Sequence, residues 1–190
     1  MTRRGLRCLQ VLSVAAVLAG GNAASLEARE ISAGGGVLTL TYDDTIWSAS
    51  RNPLGDPSLS CTAAACAGDS ASCDTVILLN EGDGLTQGDF LGSFRRNLGE
   101  NALNSARALT DPDSTAKIIS PPSAAEFGAN AGIALSMQVA QNNGQFRIDQ
   151  FWLLANSDLA GITCVVPEAD HERARQAFEA IFGAASIHTE

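Results

Sequence analysis

Cysteine is the residue type through which this sequence could most readily do chemistry. Of its five cysteines, Cys8 precedes an N-terminal apolar run, and Cys61, Cys66, Cys73 and Cys164 follow it. In an oxidising compartment those four make two disulfides. Cys61 and Cys66 can close a tight loop, which leaves Cys73, at the start of one strand, to staple onto Cys164 in another. That pairing is preferred, and the other two connectivities stay open because spacing alone does not decide them. The competing chemistry is redox or metal binding. Cys61-x4-Cys66 is not the Cys-x-x-Cys of an oxidoreductase, and no histidine lies near it to complete a zinc site. No metal and no cofactor is expected.

Other reactive types are sparse. His171 falls in the first turn of the last helix, where a solvated surface residue is expected, and His188 falls in a C-terminal tail expected to fray. Neither neighbours a nucleophile, and no Gly-x-Ser-x-Gly elbow occurs. Glu81-Gly-Asp-Gly84 lacks the Lys-Ser/Thr of a phosphate loop and the third glycine of a dinucleotide loop. Asp43-Asp44 reads as a turn rather than a cation site, and Arg95-Arg96 as a solvated pair. Carboxylates are plentiful, but no spacing locates an acid–base pair. Trp47, Phe151 and Trp152 could line a ligand pocket, yet on strands such residues belong to the core. No catalytic, cofactor-binding or metal-binding residue is assigned. The candidate site residues are the four cysteines.

The elements that must position them belong to one domain. A chain of 190 residues with 45% hydrophobic and 17% charged content supports one core of ordinary size. Met1–Gln10 carries Arg3, Arg4 and Arg7 and no acid, Val11–Ala19 is apolar, and Gly21-Asn22-Ala23 has the small-x-small form of a cleavage site. This is the layout of a secretory signal peptide over 1–23, cut after Ala23 to within two residues. The apolar run is too short to span a bilayer core of about 30 Å. The expected product is exported, to the periplasm or the extracellular space, with no membrane insertion. The formal net charge of −9 becomes −12 once three of the twelve basic residues leave with the leader. Such a surface repels phosphate backbones, so nucleic acid is an unsuitable partner; an unknown protein partner or small ligand remains.

Residues 24–36, ending in three glycines, read as a flexible lead-in, with the domain over 37–186 and a tail over 187–190. Val37–Tyr42 alternates strictly, with Leu38, Leu40 and Tyr42 on one face, and Ile46-Trp47 folds back as an apolar plug. Ser48–Ser72 reads as an irregular loop holding Cys61 and Cys66. Thr75–Asn80 reads as a central strand covered on both faces. Thr86 and Asp89 form a capping box for a helix with the stripe Phe90, Leu91, Phe94, Leu98 and a stop at Gly99. A second, weaker helix spans Glu100–Leu109, and Asp111-Pro112-Asp113 breaks it. Lys117–Ile119 is a short strand, and Ser123 with Glu126 marks a further helix cap. From Ile133 the pattern is a three-strand meander: Ile133, Leu135, Met137 and Val139 share a face. Gln141-Asn-Asn-Gly144 turns, Phe146–Leu154 returns, and Gly161–Val166 follows. A helix opened by Pro167 and closed by Gly183 carries the stripe Ala174, Ala177, Phe178, Ile181, Phe182. The fold class is therefore α+β, with a central antiparallel sheet flanked by helices and a C-terminal meander closed by an amphipathic helix.

Phe151–Leu154, Ile162–Val166, Pro167–Asp170 and Ala177–Phe182, with Leu38–Asp43 and Trp47 nearer the start, resemble PsbP-like domains. That family includes a nuclear Ran-binding protein and bacterial periplasmic relatives. The likeness covers about half of the mature chain and departs in the cysteine-bearing stretch 48–72. It implies an αβα sandwich and a non-enzymatic accessory or binding domain, and no binding residue carries over. The alternative is a secreted hydrolase or thiol-dependent enzyme with its site in the 48–72 loop.

Overall fold

The computed structural model describes residues 28–66, 70–109 and 114–188; the expected leader and the Asp111-Pro112-Asp113 break lie outside them. Ten strands follow one another: β1 (Ala28–Ala33), β2 (Leu38–Asp43), β3 (Trp47–Arg51), β4 (Pro57–Cys61), β5 (Ser72–Leu78), β6 (Thr115–Phe127), β7 (Asn130–Gln141), β8 (Gly144–Ala155), β9 (Asp158–Pro167) and β10 (Ala185–Ile187). The helices are α1 (Gln87–Asp89), which runs through a wider turn over Phe90–Phe94 into α2 (Arg95–Leu109), and α3 (His171–Gly183). The class is α+β with mostly antiparallel strands.

The large sheet has seven strands in the order β3-β4-β5-β9-β8-β7-β6. It consists of two meanders, β3-β4-β5 and β6-β7-β8-β9, joined along the β5–β9 seam, among the described residues its one pairing between strands not consecutive in the chain. Period-2 alternation divides its side chains between two cores. Ile133, Leu135, Met137, Val139 and Trp152 pack with Phe90, Leu98 and Ala102 on one face. Phe151, Leu153, Ile162, Cys164 and Val166 pack on the other with Ala174, Phe178, Ile181 and Phe182 of α3.

Several expectations change in three dimensions. Residues 28–33 are a strand rather than a lead-in, because Ala28–Ala33 pairs with Asp43–Leu38 of β2. Strand β2 lies outside the large sheet, in a separate sheet of order β1-β2-β10 whose Leu38 and Leu40 enter the α3-side core. The tail is tied down in turn: Ala185–Ile187 pairs with β2, and the His188 amide donates to the Val37 carbonyl at 3.0 Å. The stretch 48–72 contains a regular hairpin, β3–β4, and Trp47 opens it, buried against Phe178 at a ring separation of 6.3 Å. Strand β5 ends at Leu78, and Leu79 faces water.

The capping box is present, with the Asp89 amide donating to Thr86 Oγ1 and the Thr86 amide donating to Asp89 Oδ2. The side chain of Phe94 lies outside the described residues. Helix α2 does not stop at Gly99. That glycine sits where an added Cβ would come within 3.2 Å of the Pro122 ring, so it allows the helix to approach β6 closely. Lys117–Ile119 and the Ser123/Glu126 cap are both absorbed into β6, a 13-residue edge strand. Its register slips between Ile118 and Ser120 and again before Ser123. Pro121 and Pro122 fall in that interval, where missing N–H groups cost no ladder bond. At the β7–β8 turn the positive φ belongs to Gly144 (145°) and not to the asparagines before it.

Asn130, at the start of β7, secures the end of α3: its Nδ2 donates to the carbonyls of Phe182 at 3.0 Å and Ala185 at 2.8 Å. Helix C-termini leave carbonyls without intrahelical partners. Asn130→Ala is therefore expected to lower stability by about 1–2 kcal/mol in urea unfolding. Asn130→Asp, which sets a carboxylate against those carbonyls, is expected to lower it further.

Candidate functional site

The β7–β8 hairpin pairs Gln141 with Gly144, and counting back from that turn sets Ser136 opposite Asp149 and Gln138 opposite Arg147. All four are on the face that carries Ala134 and Phe151, towards α3. After β9 the chain turns through Glu168–Asp170 and starts α3 at His171. Glu168 and His171 therefore pass back over the residues of β8.

The resulting cluster is closely bonded. Arg147 grips Glu168 with two parallel hydrogen bonds, Nε to Oε2 at 3.0 Å and Nη2 to Oε1 at 2.5 Å. Ser136 Oγ donates to Asp149 Oδ1 at 2.6 Å, and His171 Nε2 meets Asp149 Oδ2 at 2.6 Å. Arg147 Nη1 reaches Ser136 Oγ at 3.4 Å. The four charged or titratable side chains keep only 15–27% of their exposure. The guanidinium holds the Glu168 carboxyl below the ordinary glutamate range, with burial opposing and Gln138 and His171 assisting, and Glu168 in turn raises Arg147.

A carboxylate whose folded value is depressed contributes stability that is present above its unfolded value and disappears as pH falls through the folded one. Glu168→Gln is therefore expected to cost about 1 kcal/mol near neutral pH, discounted for partial exposure. The difference from the parent protein should close as the solution is taken below the ordinary glutamate value. Urea midpoints measured across that acid range check this, and a gap that stays constant with pH would sink the assignment.

Beside the cluster a cleft of about 230 Å³ opens between β6–β8 and α3, with Ser120, Ser123, Phe127, Arg175 and Glu179 in its walls. Serine, aspartate and histidine meet here, but in the wrong order for acyl transfer. A triad needs the imidazole between nucleophile and carboxylate. Here Asp149 is in the middle, and the Ser136 hydroxyl donates to it. Among the described residues no group of three or more His, Cys, Asp or Glu is arranged to hold a metal ion.

The cysteines lie elsewhere on the same face. Cys61 meets Cys66, and Cys73 meets Cys164, at Cα separations of 6.1 and 4.0 Å, and all four are fully buried in the α3-side core. One row across the large sheet reads Leu59, Cys73, Cys164, Asp149, Ser136, Ser120. It passes from apolar to polar beneath α3. Trp47, Phe151 and Trp152 are core residues. His171 is not a solvated surface residue, because the turn after β9 lays it on Asp149. His188 lies with Thr39 at 3.2 Å. Sequence reading passed over Ser136, Arg147 and Asp149. The available signal was a polar i, i+2 pair, Arg147 and Asp149, on the strand face that continues into Phe151 and Leu153.

No family model and no curated protein matches the sequence. Solved structures do match in shape. Cyanobacterial PsbP (CyanoP) from Synechocystis superimposes with a TM-score of 0.61 at 10% identity, covering 88% of this chain and 96% of that one. The chain has the PsbP-like fold. The Ran-binding protein Mog1p of Saccharomyces cerevisiae shares it, with a TM-score of 0.55 at 10% identity over 87% of this chain and 97% of the other. A Bacteroides thetaiotaomicron protein gives 0.55 at 9% identity over 86% of this chain, which spans 49% of that one. At such identities the PsbP-like fold is what is shared.

Proposed function

We propose that this chain is an exported, non-enzymatic binding or accessory domain, closed by two disulfides, whose cleft beside α3 receives a small ligand or a segment of a partner protein. One observation carries the reading: Asp149 occupies the centre of the Ser136–Asp149–His171 cluster, so the hydroxyl and the imidazole are both held by the carboxylate rather than by each other. The leader layout of Met1–Ala23 and the two cysteine pairs support export to the periplasm or extracellular space. The arrangement of α2 and α3 on opposite faces of the large sheet supports an αβα sandwich, with the small β1-β2-β10 sheet added on the α3 side. A protein partner is in keeping with a fold shared with a Ran-binding protein. The burial of Cys61 and Cys66 against each other, beside the β3–β4 hairpin, favours this reading over thiol chemistry in the 48–72 stretch.

The test treats exported protein with a fluorophosphonate probe and, separately, with an alkylating agent before reduction. Expected are a mature N-terminus within two residues of Ala24, no alkylation of Cys61, Cys66, Cys73 or Cys164, and no label on Ser136. Labelling of Ser136 would assign a hydrolase instead, and two reactive thiols would assign thiol chemistry.

A further inference from the structure

Among the described residues two large apolar side chains are more than half exposed: Leu54 at 86% and Leu79 at 62%. Single exposed leucines are ordinary; these two share one end of the domain and sit on, or directly before, turns held by several hydrogen bonds. Leu54 tips the β3–β4 turn. There Asn52 Oδ1 accepts from the amides of Leu54 and Asp56 at 2.9 and 3.0 Å. The amides of Asn52 and Gly55 bond back to Asp56 and Asn52 at 2.9 Å each. Arg51 clamps the turn from outside, Nη1 to the Gly55 carbonyl at 2.6 Å and Nη2 to Ser32 at 3.3 Å.

Strand β5 runs antiparallel to β4, with Asp74 opposite Ser58, and so ends on the side where β4 begins, beside the β3–β4 turn. Leu79 follows it directly. The turn after Leu79 is bolted to the β8–β9 turn, with the Asn80 amide donating to Asp158 Oδ1 at 2.9 Å and the Gly82 amide donating to the Ser157 carbonyl at 2.8 Å. A polar cavity of about 620 Å³, walled by Gly34–Gly36, Thr39 and Asn156–Asp158, opens at the same end.

We infer that this end is a protein-docking surface, with Leu54 and Leu79 as preordered apolar knobs and the cavity beside them as a polar socket, for a partner whose contacting face carries apolar hollows and lysine or arginine. Rigid knobs lose little side-chain and loop entropy on association. Charge selects the partner. Asp56 stands two residues from Leu54, Glu81 and Asp83 follow Leu79 in the next turn, and Asp158 accepts from the Asn80 amide, while Arg51 is engaged by two carbonyls of this chain. A second copy would bring the same acids face to face, and anionic lipid would be repelled likewise. The surface is separate from the cleft beside α3, so its failure leaves the proposed function standing, and the reverse holds.

The experiment places p-benzoylphenylalanine at Leu54 or Leu79 of the full-length exported protein, with Asn143, in the turn at the opposite end of β8, as control. Irradiation is performed in intact cell envelopes. Expected is one adduct of the same mass from positions 54 and 79 and none from 143, with a cross-linked partner peptide that contains lysine or arginine. Its yield should fall steeply with added salt and in E81K/D83K, whose unfolding midpoint stays at the parent value. An adduct of twice this chain's mass, a lipid adduct, an acidic partner peptide, equal yield from 143, or no adduct at all would overturn the inference.

Discussion

Phe151→Ala is expected to lower the unfolding free energy by about 3–5 kcal/mol, a large share of the 5–15 kcal/mol available to a domain of ordinary stability. Phe151 has no solvent exposure. Its ring stands edge-on to Phe127 at 4.9 Å and tilted to Phe182 at 5.5 Å, and those two rings are 5.2 Å apart. The cluster joins β6, β8 and α3, so a cavity there cannot collapse by moving one element. Each aromatic pair adds about 0.5–1.5 kcal/mol beyond its buried area. Urea unfolding followed by tryptophan fluorescence measures the effect. A loss below about 1.5 kcal/mol would mean that this cluster does not hold α3 to the sheet. Phe151→Leu, which keeps most of the volume, should recover a substantial part of the loss.

Removing the Cys73–Cys164 pair as Cys73→Ala/Cys164→Ala comes next in magnitude. The two residues are 91 apart in sequence and directly opposite in register on β5 and β9. A bridge closing a loop of that size restricts the unfolded chain by about 4–5 kcal/mol in the chain-entropy account, and removal of native bridges commonly costs about 2–5. Cys61 and Cys66 are 5 apart, for which the same account gives about 2 kcal/mol. The expected order is therefore a severe loss for the seam pair and a smaller one for the loop pair, read as urea midpoints of the two double variants under non-reducing conditions. Equal losses would show that unfolded-state entropy does not govern either bridge. The seam has a second claim to importance. It is where the two meanders meet, so loosening it separates parts of the large sheet that no short turn reconnects.

The parts of this architecture that could be read from the chain are those written in local pattern. Alternation over Leu38–Tyr42 and Ile133–Val139, the Thr86/Asp89 capping box and the stripe ending at Phe182 each involve residues within one or two turns or strands of each other. Their physical cause is equally local: a period of two or 3.6 buries one face, and a side-chain oxygen meets an orphan amide. Reading failed where local signals were ambiguous. The three glycines at 34–36 announced flexibility, yet they only turn the chain so that β1 can pair with β2. Pro121-Pro122 suggested a break, yet an edge strand accommodates two prolines where its register slips. Gly99 suggested a helix stop, but it is a contact point.

The candidate site was illegible for a different reason. Ser136, Arg147 and Asp149 form one face of a hairpin, and their polarity there suggests only a solvated sheet face. They become a cluster when the turn after β9 carries Glu168 and His171 over them, and that path depends on the β8–β9 register and on Asn130 securing the far end of α3. By itself the sequence determined an α+β chain, its amphipathic faces, its helix cap and a supply of four cysteines behind a leader-like start, since each is encoded in neighbouring residues. Tertiary structure alone decided the register that sets Cys73 opposite Cys164, that β2 leaves the large sheet, and that Asp149 stands between Ser136 and His171. Those outcomes depend on strand order and register between segments tens of residues apart, and no short-range pattern records them.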